Sequence, residues 1–477
     1  MLVRRDRPAG GIRRPVRMSD RTSGAAAKAP ALSAPPDGLP QPRRTWALIG
    51  LWTGMSMSVI DSSIANIALP TIARDLAVPA ATATWVVTAY QIAIVMTLLP
   101  VAALGERIGY GRVYLGGLVL FVLMSAACAF APSLEALAVF RFGQGLGGAA
   151  MMGVNGAQMR HTWPADMLGR GIGYNAMIVS CTAAAGPAIA GLVLSLGNWH
   201  WLFLINIPIG ILALLLVMRF GPRTPSVTKQ FDWPDALLNA FMFGALFLAA
   251  SEAVHGRFSL WLLSMSAIGL GAGIWLVRRV RGRPRPLIPF DLLAIARMRF
   301  AYGASICGFA AQMGMLVSLP FLLERERGLD AAQVGLLILP LPIALGIVSP
   351  IAGHFADRPW AGRMSALGLL LQALMLAAIA LLLHAGQPVW LVGLAMALSG
   401  LGFGLFQSPN NNVMLRTGPL DRAGAAAGMQ AQCRLIGQTA GALVSAVCLR
   451  FAGETSTMTL WISAGLACCA AMLARRR

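Results

Sequence analysis

The sequence predicts an all-α membrane protein of fourteen transmembrane helices, and three observations carry that reading. Of the 477 residues, 57% are hydrophobic and only 12% are charged, with a mean hydropathy of +0.69. Soluble domains average about 25% charged residues. Fourteen apolar stretches of about 20 residues then follow one another, each long enough to cross roughly 30 Å of hydrocarbon. Finally, the basic residues cluster on one side of those stretches, which sets orientation.

Residues 1–44 are rich in Arg, Pro and Ala and read as a disordered basic cytosolic tail, with Met18 as an alternative start. No apolar run there is long enough for a signal peptide. The predicted spans are 45–69, 83–104, 113–132, 134–157, 172–195, 200–219 and 234–254, then 258–278, 300–323, 332–353, 364–384, 388–412, 425–451 and 457–473. Hydrocarbon offers no partner to a peptide group, so each span is expected to be helical.

The 38 bases against 18 acids give a net charge of +20, and all bases but Lys28 and Lys229 are Arg. With a cytosolic N-terminus, 31 of them fall on the inner side. Only Arg74, Arg257, Arg325 and Arg327 fall outside, and Arg141, Arg434 and Arg450 lie within spans. That asymmetry places both termini in the cytosol. It also argues against nucleic acid as a partner, which requires bases gathered on a folded face. The seven cysteines show neither zinc nor disulfide spacing and read as small apolar packers.

A repeat divides the chain. GERIGYGR (105–112) follows span 2 and ADRPWAGR (356–363) follows span 10. Each sets an acid before Arg (Glu106–Arg107, Asp357–Arg358) and a Gly-Arg further on, ending at Arg112 and Arg363. Eight spans separate the copies, so two six-span halves with two inserted spans are expected. The halves are 45–220 and 286–477, with the insertion and its linkers at 221–285. Repeated halves around a central cavity are a secondary-transporter architecture.

Ionisable residues inside a membrane are functional candidates by default. Asp61 lies deep in span 1 on a polar or small stripe with Ser58, Ser62, Ala65 and Asn66. It reads as a proton carrier or as a structural carboxylate bonded to a neighbouring helix. Arg141 opens RFGQGLGGAA in span 4, sharing a face with Gln144, Gly145 and Gly148, with Asn155 three turns beyond Gln144. A buried Arg needs a partner, whereas one near a span end can reach the interface. Gly186, Pro187 and Gly191 in span 5 mark a candidate bend. Gln407, Pro409, Asn410, Asn411 and Asn412 form a polar cluster in span 12, and Gln430, Arg434, Gln438 and Gly441 share a face of span 13. These two groups either line an aqueous pathway or tie helices together.

These residues resemble the major facilitator superfamily, in particular its fourteen-span drug:proton antiporter (EmrB/QacA-type) branch, over about 45–473. VIDSSIANIALP (59–70) is similar to the family's first-helix motif, with Asp61 at its acidic position. AALGERIGYGR (102–112) resembles the loop motif, including Gly109 and Arg112, with Glu106 for the usual Asp and Ala102 for the usual Gly. Arg141, Gln144, Gly145 and Gly147 match the fourth-helix motif. GPAIAG (186–191) resembles the antiporter motif, with Ala190 replacing one Gly of a pair, and GLFQSPNNN (404–412) the twelfth-helix motif.

The resemblance implies a major facilitator fold and a proton-coupled exporter of small hydrophobic or cationic organic compounds, such as drugs, working by alternating access. The alternative is the same fold exporting one metabolite: an amino acid, a sugar or a natural product. Asp61 would exchange protons with cargo and Arg141 would tune it. Glu106, Arg107, Gly109, Arg112, Gly186, Pro187, Gly191, Asp357, Arg358 and Arg363 would gate the cycle. Ser58, Ser62, Asn66, Gln144, Asn155, Gln407, Asn410, Asn411, Gln430 and Arg434 would line the pathway. No cofactor beyond the proton gradient is expected, since the sequence has no GxxxxGK[ST] loop for ATP. No clustered catalytic carboxylates or His favour an enzyme. The expected setting is a monomer in a bacterial inner membrane, its partners a small-molecule substrate and lipid, with a periplasmic adaptor at spans 7 and 8 left open.

Overall fold

A computed structural model describes residues 38–224, 231–254, 260–281, 289–329, 331–418, 422–452 and 456–476. Fourteen long helices occupy these residues. The first seven are α1 (Arg43–Asp75), α2 (Trp85–Ile108), α3 (Tyr110–Ala129), α4 (Leu134–Thr162), α5 (Leu168–Leu196), α6 (Asn206–Phe220) and α7 (Trp233–Val254). The others are α8 (Leu260–Val280), α9 (Ala296–Arg327), α10 (Pro340–His354), α11 (Ala361–His384), α12 (Val389–Thr417), α13 (Ala423–Ala452) and α14 (Met458–Arg475). Short helices at Ala80–Ala83, His200–Leu204, Phe290–Ala294 and Ala331–Ile338 lead into α2, α6, α9 and α10. The chain is therefore all-helical among the described residues.

Eleven helical segments are long and apolar enough to cross a membrane. The three long helices outside that set are α1, α4 and α13, which carry Asp61, Arg141 and Arg434 respectively. Asp61 and Arg141 are buried against neighbouring helices. Several helices outrun their apolar stretch: α1 covers 33 residues and α9 covers 32. Backbone bonding continues past the hydrocarbon, where side-chain polarity no longer costs anything.

Helix packing repeats with an offset of eight helices. In the first half α3 packs on α4, α2 on α4, α1 on α5 and α6, and α3 on α6. In the second, α11 packs on α12, α10 on α12, α9 on α13 and α14, and α11 on α14. The closest approaches repeat too. A Cβ on Gly147 would lie 2.7 Å from the Gly117 carbonyl oxygen, and Gly402 meets the Gly368 carbonyl oxygen in the same way. Small residues are what let membrane helices approach this closely.

The halves meet through matched pairs: α5 on α10 with α13 on α2, and α4 on α13 with α12 on α5. Helix α7 lies against both α2 and α13, and α8 packs on α7. Asn239 of α7 donates to the Met96 carbonyl of α2 at 3.1 Å, and Arg279 of α8 pairs with Asp235 of α7 at 2.8 Å.

Candidate functional site

The first half buries an ion pair. Asp61 of α1 is 2% exposed and Arg141 of α4 is fully buried, and Arg141 Nη1 donates to Asp61 Oδ2. The other carboxylate oxygen, Oδ1, accepts from Gln144 Nε2 at 2.9 Å and from Asn206 Nδ2 at 3.0 Å. Gln144 also accepts from Arg141 at 2.6 Å and donates to Ser125 Oγ at 2.7 Å. Helices α1, α3, α4 and α6 therefore converge on one carboxylate.

The guanidinium is held on further sides, while its Nη2 is buried with no hydrogen bond among the described residues. Arg141 Nε donates to the Val86 carbonyl at 3.0 Å, just before α2's Tyr90, whose ring lies 4.4 Å from the guanidinium carbon. Phe203 stands on another side at 5.6 Å. Burial without water makes such a pair strongly coupled, because either charge left alone would be costly. Tyr90 is also the link outward, since its hydroxyl and Ser58 Oγ are 2.8 Å apart.

Ser58 and Tyr90 line a cavity of about 570 Å³ between the halves. Ser62 and Gln91 continue its wall on the first half, and Arg434 and Gln438 face them from α13. A smaller chamber of about 60 Å³ adjoins it, walled by Asn155, Asn175, Gln407, Asn411, Gln430 and again Arg434. The sequence-predicted pathway residues Ser58, Ser62, Asn155, Gln407, Asn411, Gln430 and Arg434 thus come together. Gln144 belongs instead to the Asp61 network, and Asn410 is buried, donating to the Ala301 carbonyl at 3.1 Å to tie α12 to α9. The side chains of Asn66 and Pro187 lie outside the described residues.

At the end where α2 terminates, polar contacts lock the halves together. Glu106 Oε1 accepts from the Ala425 backbone N–H at 2.8 Å, and Arg422 Nη1 donates to its Oε2 at 3.3 Å. Asp291 grips the same Arg422 through two bonds of 2.9 and 3.1 Å. Tyr110 accepts from the Gly424 N–H at 2.8 Å, and Arg160 donates to the Leu415 and Gly418 carbonyls at 2.7 and 3.0 Å. Gly109 permits the tight exit of α2, with φ of 98°, a conformation that favours glycine. The 570 Å³ cavity lies toward the opposite end, beside the first turns of α2.

The second copy of the loop motif behaves differently. Asp357 stays within its own half, accepting from Asn412 at 2.7 Å and pairing with Arg416. Arg107, Arg112, Arg358 and Arg363 are exposed, and Arg112 bonds only locally to the Ile108 carbonyl at 3.2 Å. Gly186 is buried in an uninterrupted α5, while Gly191 is exposed with open space around it. Sequence reasoning missed Tyr90, Ser125, Asn206, Asp291 and Arg422. A neutral Asn inside the apolar run of α6 was a usable signal; Arg422 was hidden among the loop bases.

Two repeated helical halves with a cavity between them, and a buried charge pair behind its Tyr90 wall, are the architecture of a multi-pass membrane transporter. The profile of the Major Facilitator Superfamily matches residues 51–442, and the chain belongs to that family. It is 44% identical over 444 residues to the uncharacterized transporter YebQ of Escherichia coli (strain K12), covering 92% of this chain and 97% of that one. The riboflavin transporter RibZ of Clostridioides difficile (strain 630) is 31% identical, with 80% and 83% covered. The multidrug resistance protein Stp of Mycobacterium tuberculosis (strain CDC 1551 / Oshkosh) is 32% identical, with 88% and 76% covered.

Proposed function

We propose that this chain is a proton-coupled antiporter of small organic compounds, with fourteen spans arranged as 6 + 2 + 6 and both termini cytosolic in a bacterial inner membrane. The observation that carries the proposal is the Asp61–Arg141 pair, buried behind Tyr90 and Ser58, which wall the central cavity. Asp61 Oδ1 already accepts two hydrogen bonds, so an arriving proton belongs on Oδ2. That is Arg141's position, and protonation would displace the guanidinium. A charge released against Tyr90, on the cavity wall, would couple proton binding to what the cavity holds. One proton crossing a membrane gains about 2.3 kcal/mol per 100 mV.

The locked end supports alternating access. Its contacts join the halves through Glu106, Arg422 and Arg160, so they would break when the halves rock to open that end. The Arg-rich connections lie at this end, which supports its being cytosolic. A relative named for multidrug resistance favours drug-like cargo. Another, named for riboflavin, favours the second reading, export of one metabolite.

The test is proton movement in everted vesicles holding a pH dye, comparing wild type with Asp61→Asn. A compound that dissipates the acid-inside gradient only with wild type supports antiport through Asp61. An equal response from the variant would remove Asp61 from the mechanism. The active compounds separate drug-like cargo from a single metabolite.

A further inference from the structure

Arg434 on α13 stands where the two cavities meet. Unlike Arg141, which has Asp61, and Arg422, which has Asp291 and Glu106, it has no partner. No described residue hydrogen-bonds it, pairs with it or stacks on it, and its Nε is buried without an acceptor. Among the described residues neither cavity has an Asp or Glu on its wall. The one charged group on these walls, among the same residues, is therefore the unneutralised guanidinium of Arg434. A cation left unpaired in a membrane interior is costly and marks a pathway by default.

The neighbouring polar groups are neutral amides. Asn155 Oδ1 and Gln407 Oε1 are buried with no hydrogen bond, and Gln430 and Asn411 share the small chamber's wall. Those two free oxygens are acceptors for an N–H or O–H group elsewhere on the cargo, while the amide N–H groups of Gln430 and Asn411 can donate to an oxyanion beside a guanidinium. The larger cavity adds an apolar lining, including Ile94, Phe247, Met313 and Leu435. An organic cation would meet a positive wall with no carboxylate to receive it.

We propose that the cargo is an organic anion, its carboxylate or related oxyanion group held by Arg434 and its apolar body in the 570 Å³ cavity. This rests on the transporter reading of that cavity, and it reverses the sequence expectation of cationic cargo.

Charged thiol reagents test the cavity directly. With the seven native cysteines replaced by alanine, Gln438→Cys, one turn from Arg434, is labelled in lipid nanodiscs. The reagents are sulfonatoethyl and trimethylammonioethyl methanethiosulfonate, with rates normalised to a free thiol. The anionic reagent is expected to react at least about fivefold faster than the cationic one. Adding Arg434→Gln should bring the ratio to about one, and Arg434→Lys should keep the preference. Naphthalene-2-carboxylate should protect the thiol at about tenfold lower concentration than naphthalene-2-carboxamide.

A ratio at or below one with Arg434 present, or an unchanged ratio in Arg434→Gln, would overturn the proposal. So would equal protection by both naphthalenes, or protection by neither. If Arg434→Gln does not fold, the Arg434 and Lys proteins and the two protectants still decide. Failure of the proton assay with anion preference intact removes proton coupling alone; the reverse pattern removes only the anionic cargo.

Discussion

Gln144 and Asn206 donate to the same oxygen of Asp61, at 2.9 and 3.0 Å, from helices 62 positions apart in sequence. Together they leave Oδ2 as the only carboxylate oxygen for Arg141, so the pair has one geometry. Removing Asp61 or Arg141 alone should leave a buried group uncompensated, at a cost of about 3–5 kcal/mol. Asp61→Asn and Arg141→Ala are each expected to lower the thermal midpoint in detergent. The double variant should lose less than the two single losses combined, by about 1 kcal/mol or more. Strict additivity in that cycle would show that the two side chains do not act as a unit.

Tyr90 joins this pair to the cavity by two separable features. Tyr90→Phe removes the hydroxyl bond to Ser58 and keeps the ring over Arg141. Tyr90→Leu removes both, and a desolvated cation–π contact is worth about 2 kcal/mol. Transport in proteoliposomes should therefore fall further with Leu than with Phe. The opposite order would assign the coupling to the hydroxyl.

At the locked end the decisive base is Arg422, not the bases of the loop motif. Arg422→Ala and Glu106→Gln should favour opening there, seen as faster labelling of a cysteine placed at Ala427, on the chamber wall. Arg107→Ala and Arg112→Ala remove exposed side chains and should change labelling by less than about twofold, as surface charges contribute little. Equal effects from all four variants would place the lock elsewhere.

Gly147 and Gly191 separate packing from motion. Gly147→Ala drives a methyl into the Gly117 carbonyl and the Phe121 backbone, each at 2.7 Å, and overpacking of this kind costs about 1–3 kcal/mol. Gly191→Ala meets nothing within 4 Å and should raise helix stability by up to about 1 kcal/mol. If Gly191 nonetheless bends α5 during the cycle, the same variant will slow transport while its thermal midpoint holds. Unchanged transport would remove Gly191 from the gate.

Much of the fold was legible because the bilayer imposes simple demands on a chain. Apolar runs of spanning length, loop bases on one side and a loop motif repeated eight helices apart are all local signals. Asp61 and Arg141 were legible singly, since charge inside an apolar run is conspicuous. The resemblance implied that Arg141 tunes Asp61, but their direct contact was not legible, because 80 positions separate them and contact depends on which helix faces meet. Asn206 and Ser125 escaped for a different reason: a neutral amide or hydroxyl barely disturbs hydropathy, yet in hydrocarbon it must find a partner. Arg422 was counted as one loop base among many, though its burial at 5% exposure comes from packing between the halves.

The two halves share packing but not chemistry. Arg141 stands four residues before Gly145, which packs on the Tyr90 carbonyl; four before Gly400, which packs on Leu341 in the same manner, stands Met396. Gln144 is likewise matched by Ser399. The buried ion pair therefore has no counterpart at the matching positions of the second half. Arg434 and Gln430 stand on that second half, on the cavity wall and apart from the Asp61 network. Substitutions at Arg434 or Gln430 would thus alter the cavity wall without touching any hydrogen bond of Asp61.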